Sequence, residues 1–145
     1  MLFLMQLSLI PMTFIIPIIA EKMHDQVVVS GITALCFIVG VLGLWIGFKP
    51  FLPISVILIG AASGSAFSLS MMFFGLRTNN GQQAAEMSGM AQSFGYLLAA
   101  CGPVLFGALH DFVDGWRLPL GLLMVLSIVI LFAGIQAGKN RVIAE

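Results

Sequence analysis

Charge is what this sequence has least of. Six Lys or Arg and six Asp or Glu are spread over 145 residues, 8% of the chain, where an ordinary soluble domain is about a quarter charged. Twelve charges cannot cover the surface of a globular domain of this size, so a soluble protein is excluded and the bilayer is the expected solvent. A net charge of zero offers no basic stripe, and no nucleic acid is expected among the partners. Cysteine is nearly absent as well: Cys36 and Cys101 both fall deep inside apolar stretches, where they read as packing residues. His24 and His110 are isolated from any Cys at ligand spacing, so neither a metal nor a cofactor is expected. The first twenty residues carry no charge. A signal peptide needs a basic lead, so this opening reads as a span, and as the start of a chain cut from a longer one.

Between the charges lie five long uncharged windows, at 1–20, 26–48, 50–76, 87–110 and 118–138. Each reaches about the 20 residues that a helix needs to cross roughly 30 Å of hydrocarbon. None alternates with the two-residue period of a barrel strand, and unpaired backbone in lipid is very costly, which leaves closed helices. The expectation is an all-α, polytopic membrane protein with spans at 1–20, 27–48, 51–75, 86–109 and 118–138.

Five spans put the two termini on opposite faces. With the C-terminus cytoplasmic, Lys22, Arg77, Lys139 and Arg141 lie inside and Lys49 and Arg117 outside, four against two, so the positive-inside rule favours this orientation. Trp45 and Trp116 then sit near span ends on the outer side, consistent with interfacial anchoring, a role they would serve equally at either interface.

Span 3 carries Gly60-x-x-x-Gly64-x-x-x-Ser68, a surface that lets another backbone come close. Span 4 repeats the device with Ser88, Gln92, Gly95, Ala99 and Gly102, and both helices are expected to be enclosed by protein. Spans 2 and 5, richer in Leu, Val, Ile and Phe, are expected to face lipid, with Gly31, Gly40, Gly43 and Gly47 giving span 2 one close-packing side. Pro11, Pro17 and Pro103 lie inside spans, where each removes a helical hydrogen bond and promotes a bend. Gly102-Pro103 is the sharpest of these.

No ionisable side chain lies in the middle of a span, so the chain holds no proton relay or charged substrate anchor of its own. The polar groups there are neutral, and Gln92 and Tyr96 stand out as large groups on one face at i, i+4. With Ser88 they are the candidates for lining a substrate cavity; hydrogen bonding between helices is the alternative role. Asp111-x-x-Asp114-Gly115 superficially looks like the acidic start of a metal-dependent lipid-headgroup transferase, but the further aspartates such a site needs do not follow. An exterior turn with Gly115 making the bend fits better, and no enzyme is expected.

The most distinctive stretch runs from Arg77-Thr through Met87-Ser-Gly-Met-Ala-Gln-Ser93, Gly95-Tyr-Leu97 and Leu109-His-Asp111. It resembles the region around the last two helices of the cyanate transporter-like (CynX/NimT) branch of the major facilitator superfamily. Ile19-Ala-Glu21-Lys22-Met-His-Asp25-Gln26 is similar to a degenerate form of the superfamily's short cytoplasmic loop motif, lacking its later basic residues. The resemblance implies that the five spans are the last five of twelve, forming most of the C-terminal half-bundle of a secondary carrier. It also implies a cytoplasmic C-terminus, a bacterial inner-membrane location, and a small-molecule or anionic substrate bound between this bundle and a missing N-terminal half. Glu21, Lys22, Asp25 and Arg77 would then latch the cytoplasmic side, and the Gly102-Pro103 bend would lie below the cavity. A small structural or regulatory membrane subunit, or an inactive remnant, is the competing class.

Overall fold

The computed structural model describes residues 1–23 and 26–139. Five helices follow one another: α1 (Leu2–Glu21), α2 (Val27–Ile46), α3 (Leu52–Leu76), α4 (Gly81–Val113) and α5 (Arg117–Gly138), with a single 3-10 turn at Lys49–Phe51 before α3. All five are long and apolar enough to cross a membrane, and no strand occurs among the described residues. The physical reason is that a helix satisfies its own backbone where no water can. Short connections make successive helices antiparallel. The ends near Glu21, Gln26, Arg77 and Gly138 therefore gather at one end of the bundle, and Ile46, Phe51 and Trp116 lie towards the other.

Helix ends depart from the edges of the apolar windows because capping, not hydropathy, sets them. α4 begins at Gly81, ahead of the window, since the Asn80 side chain accepts from the Gln83 N–H at 2.8 Å while Gln83 Oε1 accepts from the Asn79 N–H at 3.0 Å. It then runs for 33 residues, about 50 Å at ~1.5 Å per residue, longer than the hydrocarbon core. At its far end the left-handed residue is Asp114 (φ 49°), not Gly115, and the N–H groups of both reach the His110 carbonyl. The bend assigned to Gly115 is thus made by Asp114, whose short polar side chain tolerates that conformation. Asp111 lies within α4 itself, not in the turn.

α3 sits between α1 and α2, and α2 between α3 and α5. The Gly60, Gly64, Ser68 stripe meets α1 backbone to backbone. A Cβ built on Gly60 would run into the Met5 carbonyl and the Ser8 hydroxyl, and one on Gly64 into the Leu9 carbonyl. One turn on, Ser68 Oγ donates to the Thr13 carbonyl at 2.9 Å. That carbonyl is the one Pro17 leaves without its helical partner, because proline has no N–H to offer four residues back. Met5, Leu9 and Thr13 thus mirror Gly60, Gly64 and Ser68 at the same four-residue spacing. A second seam joins α2 to α3, where a Cβ on Gly40 would lie 2.6 Å from Ile59 Cγ1 and 3.1 Å from the Ser55 carbonyl. In a third seam, Gly134 and Gly138 of α5 face Ser30 and Val27 of α2.

One expectation changes. α2 has the single close-packing side expected of it, burying Val29, Ser30, Thr33, Ala34, Gly40 and Val41 between two neighbours, while Ile32, Leu35 and Val39 remain on its exposed side. α4, expected to be enclosed, buries none of its described residues, and Gly89, Gly95 and Gly102 have no neighbouring atoms within 4 Å of a built Cβ. Small side chains permit close approach without choosing which helix approaches.

Candidate functional site

Most polar groups inside the spans are spent within their own helix. The hydroxyls of Ser30, Thr33, Ser55, Ser63, Ser65 and Ser127 each donate to the carbonyl four residues back, at 2.8–3.0 Å. Apart from Ser68, which reaches the Thr13 carbonyl of α1, the side-chain contacts between helices gather in two places.

The first lies between α3 and α4. Gln92 Nε2 donates to Ser88 Oγ at 3.0 Å, and both side chains point towards the Met71 sulfur of α3, at 3.6 Å from the Gln92 amide and 3.9 Å from the Ser88 hydroxyl. A thioether is a weak acceptor, so the amide and hydroxyl are held near α3 while keeping unused capacity for a ligand. Ser88 and Gln92 are half-buried. Tyr96, one turn further along α4, is 67% exposed and makes no hydrogen bond among the described residues. Gly102 and Pro103 lie further along the same helix, which continues through the proline to Val113.

The second cluster ties helix ends together. Arg77, directly after α3, is 8% exposed. Its Nη2 donates to Gln26 Oε1 at 3.0 Å and to the Gly138 carbonyl at 3.2 Å, its Nε to the Ala137 carbonyl at 3.4 Å, and its guanidinium lies 5.9 Å from the Phe73 ring centre. Gln26 Nε2 in turn donates to the carbonyls of Met23 at 3.0 Å and Ala20 at 3.4 Å, and the Gln26 N–H to Gly138 at 3.1 Å. The cation therefore sits at the C-terminal ends of α3 and α5, where free carbonyls concentrate negative potential, and one glutamine extends the tie to α1. Glu21 and Lys22 are exposed beside this cluster, and Asp25 lies outside the described residues.

A cleft of about 790 Å³ lies beside the second cluster, between the ends of α1 and α3. Glu21 and Lys22 stand at one side of it, Gln26 and Arg77 form part of its wall, Gly75 and Met72 line α3, and Met71 borders it. Met71 is also the side chain that Gln92 and Ser88 reach from α4.

Of the residues singled out by sequence, the structure brings Ser88 and Gln92 together, leaves Tyr96 exposed one turn further along the same helix, and sets Arg77 among backbone carbonyls. Sequence reasoning missed Gln26 and Met71. Gln26 carried a signal, a polar side chain directly between two spans; Met71 carried none, being one apolar residue among nine methionines.

No family model and no solved structure matches the chain. Among curated proteins it is 42% identical, over all of its own length, to a protein of Bacillus subtilis named "uncharacterized transporter YycB", of which it covers 36%. It is 40% identical over 95% of its length to the 2-nitroimidazole transporter of Escherichia coli, covering 35% of that protein. Over 57% of its length it is 50% identical to a putative anionic 4-hydroxy-benzoate permease of Thauera aromatica, covering half of it. The chain thus spans about a third to a half of the length of these curated relatives. The whole chain thus aligns with part of a bacterial transporter, in keeping with the resemblance of the stretch from Arg77 to Asp111 to the cyanate transporter-like branch of the major facilitator superfamily.

Proposed function

We propose that this chain supplies part of the C-terminal rocking bundle of a secondary carrier for a small molecule or anion. Similarity over the whole chain to bacterial transporters carries the reading. In such carriers the substrate lies near the bilayer midplane between two half-bundles, and rocking of one against the other alternates access. The N-terminal half is the partner this bundle works against. The face of α4 bearing Ser88, Gln92 and Tyr96 is the wall turned towards it, which fits a helix that buries nothing against its four companions. Two of the relatives are named for compact planar aromatic solutes, one of them an anion. An amide, a hydroxyl and a phenol suit such solutes by hydrogen bonding and ring contact, whereas an anion's charge would be met by helices outside this chain, since no span here carries an ionisable group at mid-depth. The Lys and Arg count supports a cytoplasmic C-terminus in a bacterial inner membrane.

The test is uptake of labelled 2-nitroimidazole and 4-hydroxybenzoate by cells expressing the gene in its full genomic context. Uptake above that of empty cells is expected, and Gln92→Ala or Tyr96→Ala should lower it at least tenfold at unchanged membrane abundance. Full uptake by both variants would remove this face of α4 from the pathway.

A further inference from the structure

We infer that Met71 is an oxidation site whose sulfoxide ties α3 to α4: a hydroperoxide converts the thioether, and the new oxygen takes the hydrogen bonds that Gln92 and Ser88 now aim at sulfur. Met71 is half-buried on the wall of the cleft at the ends of α1 and α3, so a molecule as small as hydrogen peroxide can reach it. The Gln92 amide and the Ser88 hydroxyl, both from another helix, stand 3.6 and 3.9 Å from its sulfur. Those distances suit a weak acceptor. They exceed the roughly 2.9 Å of a hydrogen bond to oxygen, so one oxygen carried on the sulfur fits between it and the two donors. The donors are joined to each other at 3.0 Å and so converge on one place. Met72 lines the same cleft but packs with Ala20, Val29 and Leu69, whose side chains have no donor to give a sulfoxide.

In the oxidation a sulfur lone pair takes the outer oxygen of the hydroperoxide; an S–O bond forms and the O–O bond breaks. Sulfur loses an electron pair and the peroxide gains it, and the proton of the transferred oxygen goes to the departing one, giving water when the oxidant is hydrogen peroxide. The sulfoxide oxygen is polar where the thioether was apolar, and the rotatable bonds of methionine let it turn to the donors without moving backbone. The consequence for transport rests on the reading above: with Gln92 and Ser88 held on Met71, neither is left for substrate, and uptake stays low until a sulfoxide reductase restores the thioether.

The test is hydrogen peroxide treatment of membranes from cells expressing the gene in its full genomic context, with mass spectrometry locating each added oxygen and amide hydrogen exchange read over residues 81–96, the first turns of α4. Met71 should gain one oxygen, exchange over those turns should slow by about threefold or more, and uptake should fall. Met71→Leu removes the sulfur at similar volume and should show neither slowed exchange nor lost uptake on treatment. Met71→Gln, whose amide oxygen stands in for the sulfoxide, should show slow exchange and low uptake without any oxidant. An unmodified Met71 once Met90, which is 61% exposed, has been oxidised would overturn the site. An oxidised Met71 with unslowed exchange would overturn the tie. Neither readout depends on turnover: oxidation and slowed exchange with full uptake would keep the tie and remove Gln92 and Ser88 from the substrate path, so the two readings fail separately.

Discussion

α3 and α4 carry the same device, small residues repeating every three or four positions, and meet opposite fates. On α3 the stripe is filled: Gly60 and Gly64 lie against the backbone of α1, and Ser68 reaches the Thr13 carbonyl. On α4 the glycines face open space, and this helix of 33 residues touches α3 only lightly, through side chains such as Met71, Ser88 and Gln92. The difference shows what close packing in lipid requires. A small-residue face is permission for contact; the contact forms where the opposite surface also presents something to gain, here a carbonyl set free by Pro17 and a line of backbone atoms in register with the glycines. The four companion helices leave the α4 glycines uncovered, in a chain that spans about a third to a half of the length of its curated relatives.

Breaking the filled side should be costly. The largest effect is expected from Arg77→Ala, which strips charged hydrogen bonds from Gln26 and from the α5 carbonyls together, about 3 kcal/mol of stability at the upper end for bonds to a charged group. Denaturant unfolding in detergent measures it, and Arg77→Lys should recover only part, because an ammonium cannot reproduce the planar fork that spans several acceptors. Next comes the pair Gly64→Val and Gly95→Val. The first forces side-chain carbons into the Leu9 backbone and should cost about 2 kcal/mol, while the second meets open space and should change stability by less than about 0.5 kcal/mol. Equal losses in the two variants would erase the distinction between the helices. Among the filled contacts the smallest loss is expected for Ser68→Ala, about 1 kcal/mol, in line with single interhelical hydrogen bonds in lipid. It should vanish when Pro17 is replaced by Ala, since the Thr13 carbonyl then regains a helical donor; a loss of the same size in both backgrounds would show that Ser68 acts through packing alone.

Much of this architecture is legible in the residues. Five uncharged windows become five helices because length and hydropathy leave the backbone no other solution in lipid. The close-packing role of Gly60 and Gly64 was readable for the same reason that small residues are rare on a lipid face. The bend at the end of α4 was placed one residue late, at Gly115, because glycine is the usual left-handed residue and Asp114 only an occasional one. The site was readable in part. Gln92 and Ser88 announce themselves as polar groups in an apolar span, whereas Met71 looks like any other apolar residue until its sulfur is seen beside them.

The sequence by itself determined that the chain is helical, that it lies in a membrane, and which faces of its helices are small or polar, since all three follow from composition and spacing along one strand of residues. Only the tertiary structure decided which helix fills the Gly60, Gly64, Ser68 stripe, that Arg77 spends its donors on the carbonyls of α5, and that the Met71 sulfur lies beside Gln92. The reason is physical. The partners in these contacts are largely backbone atoms, which every residue carries alike, so no pattern of side chains can announce them before the helices have met.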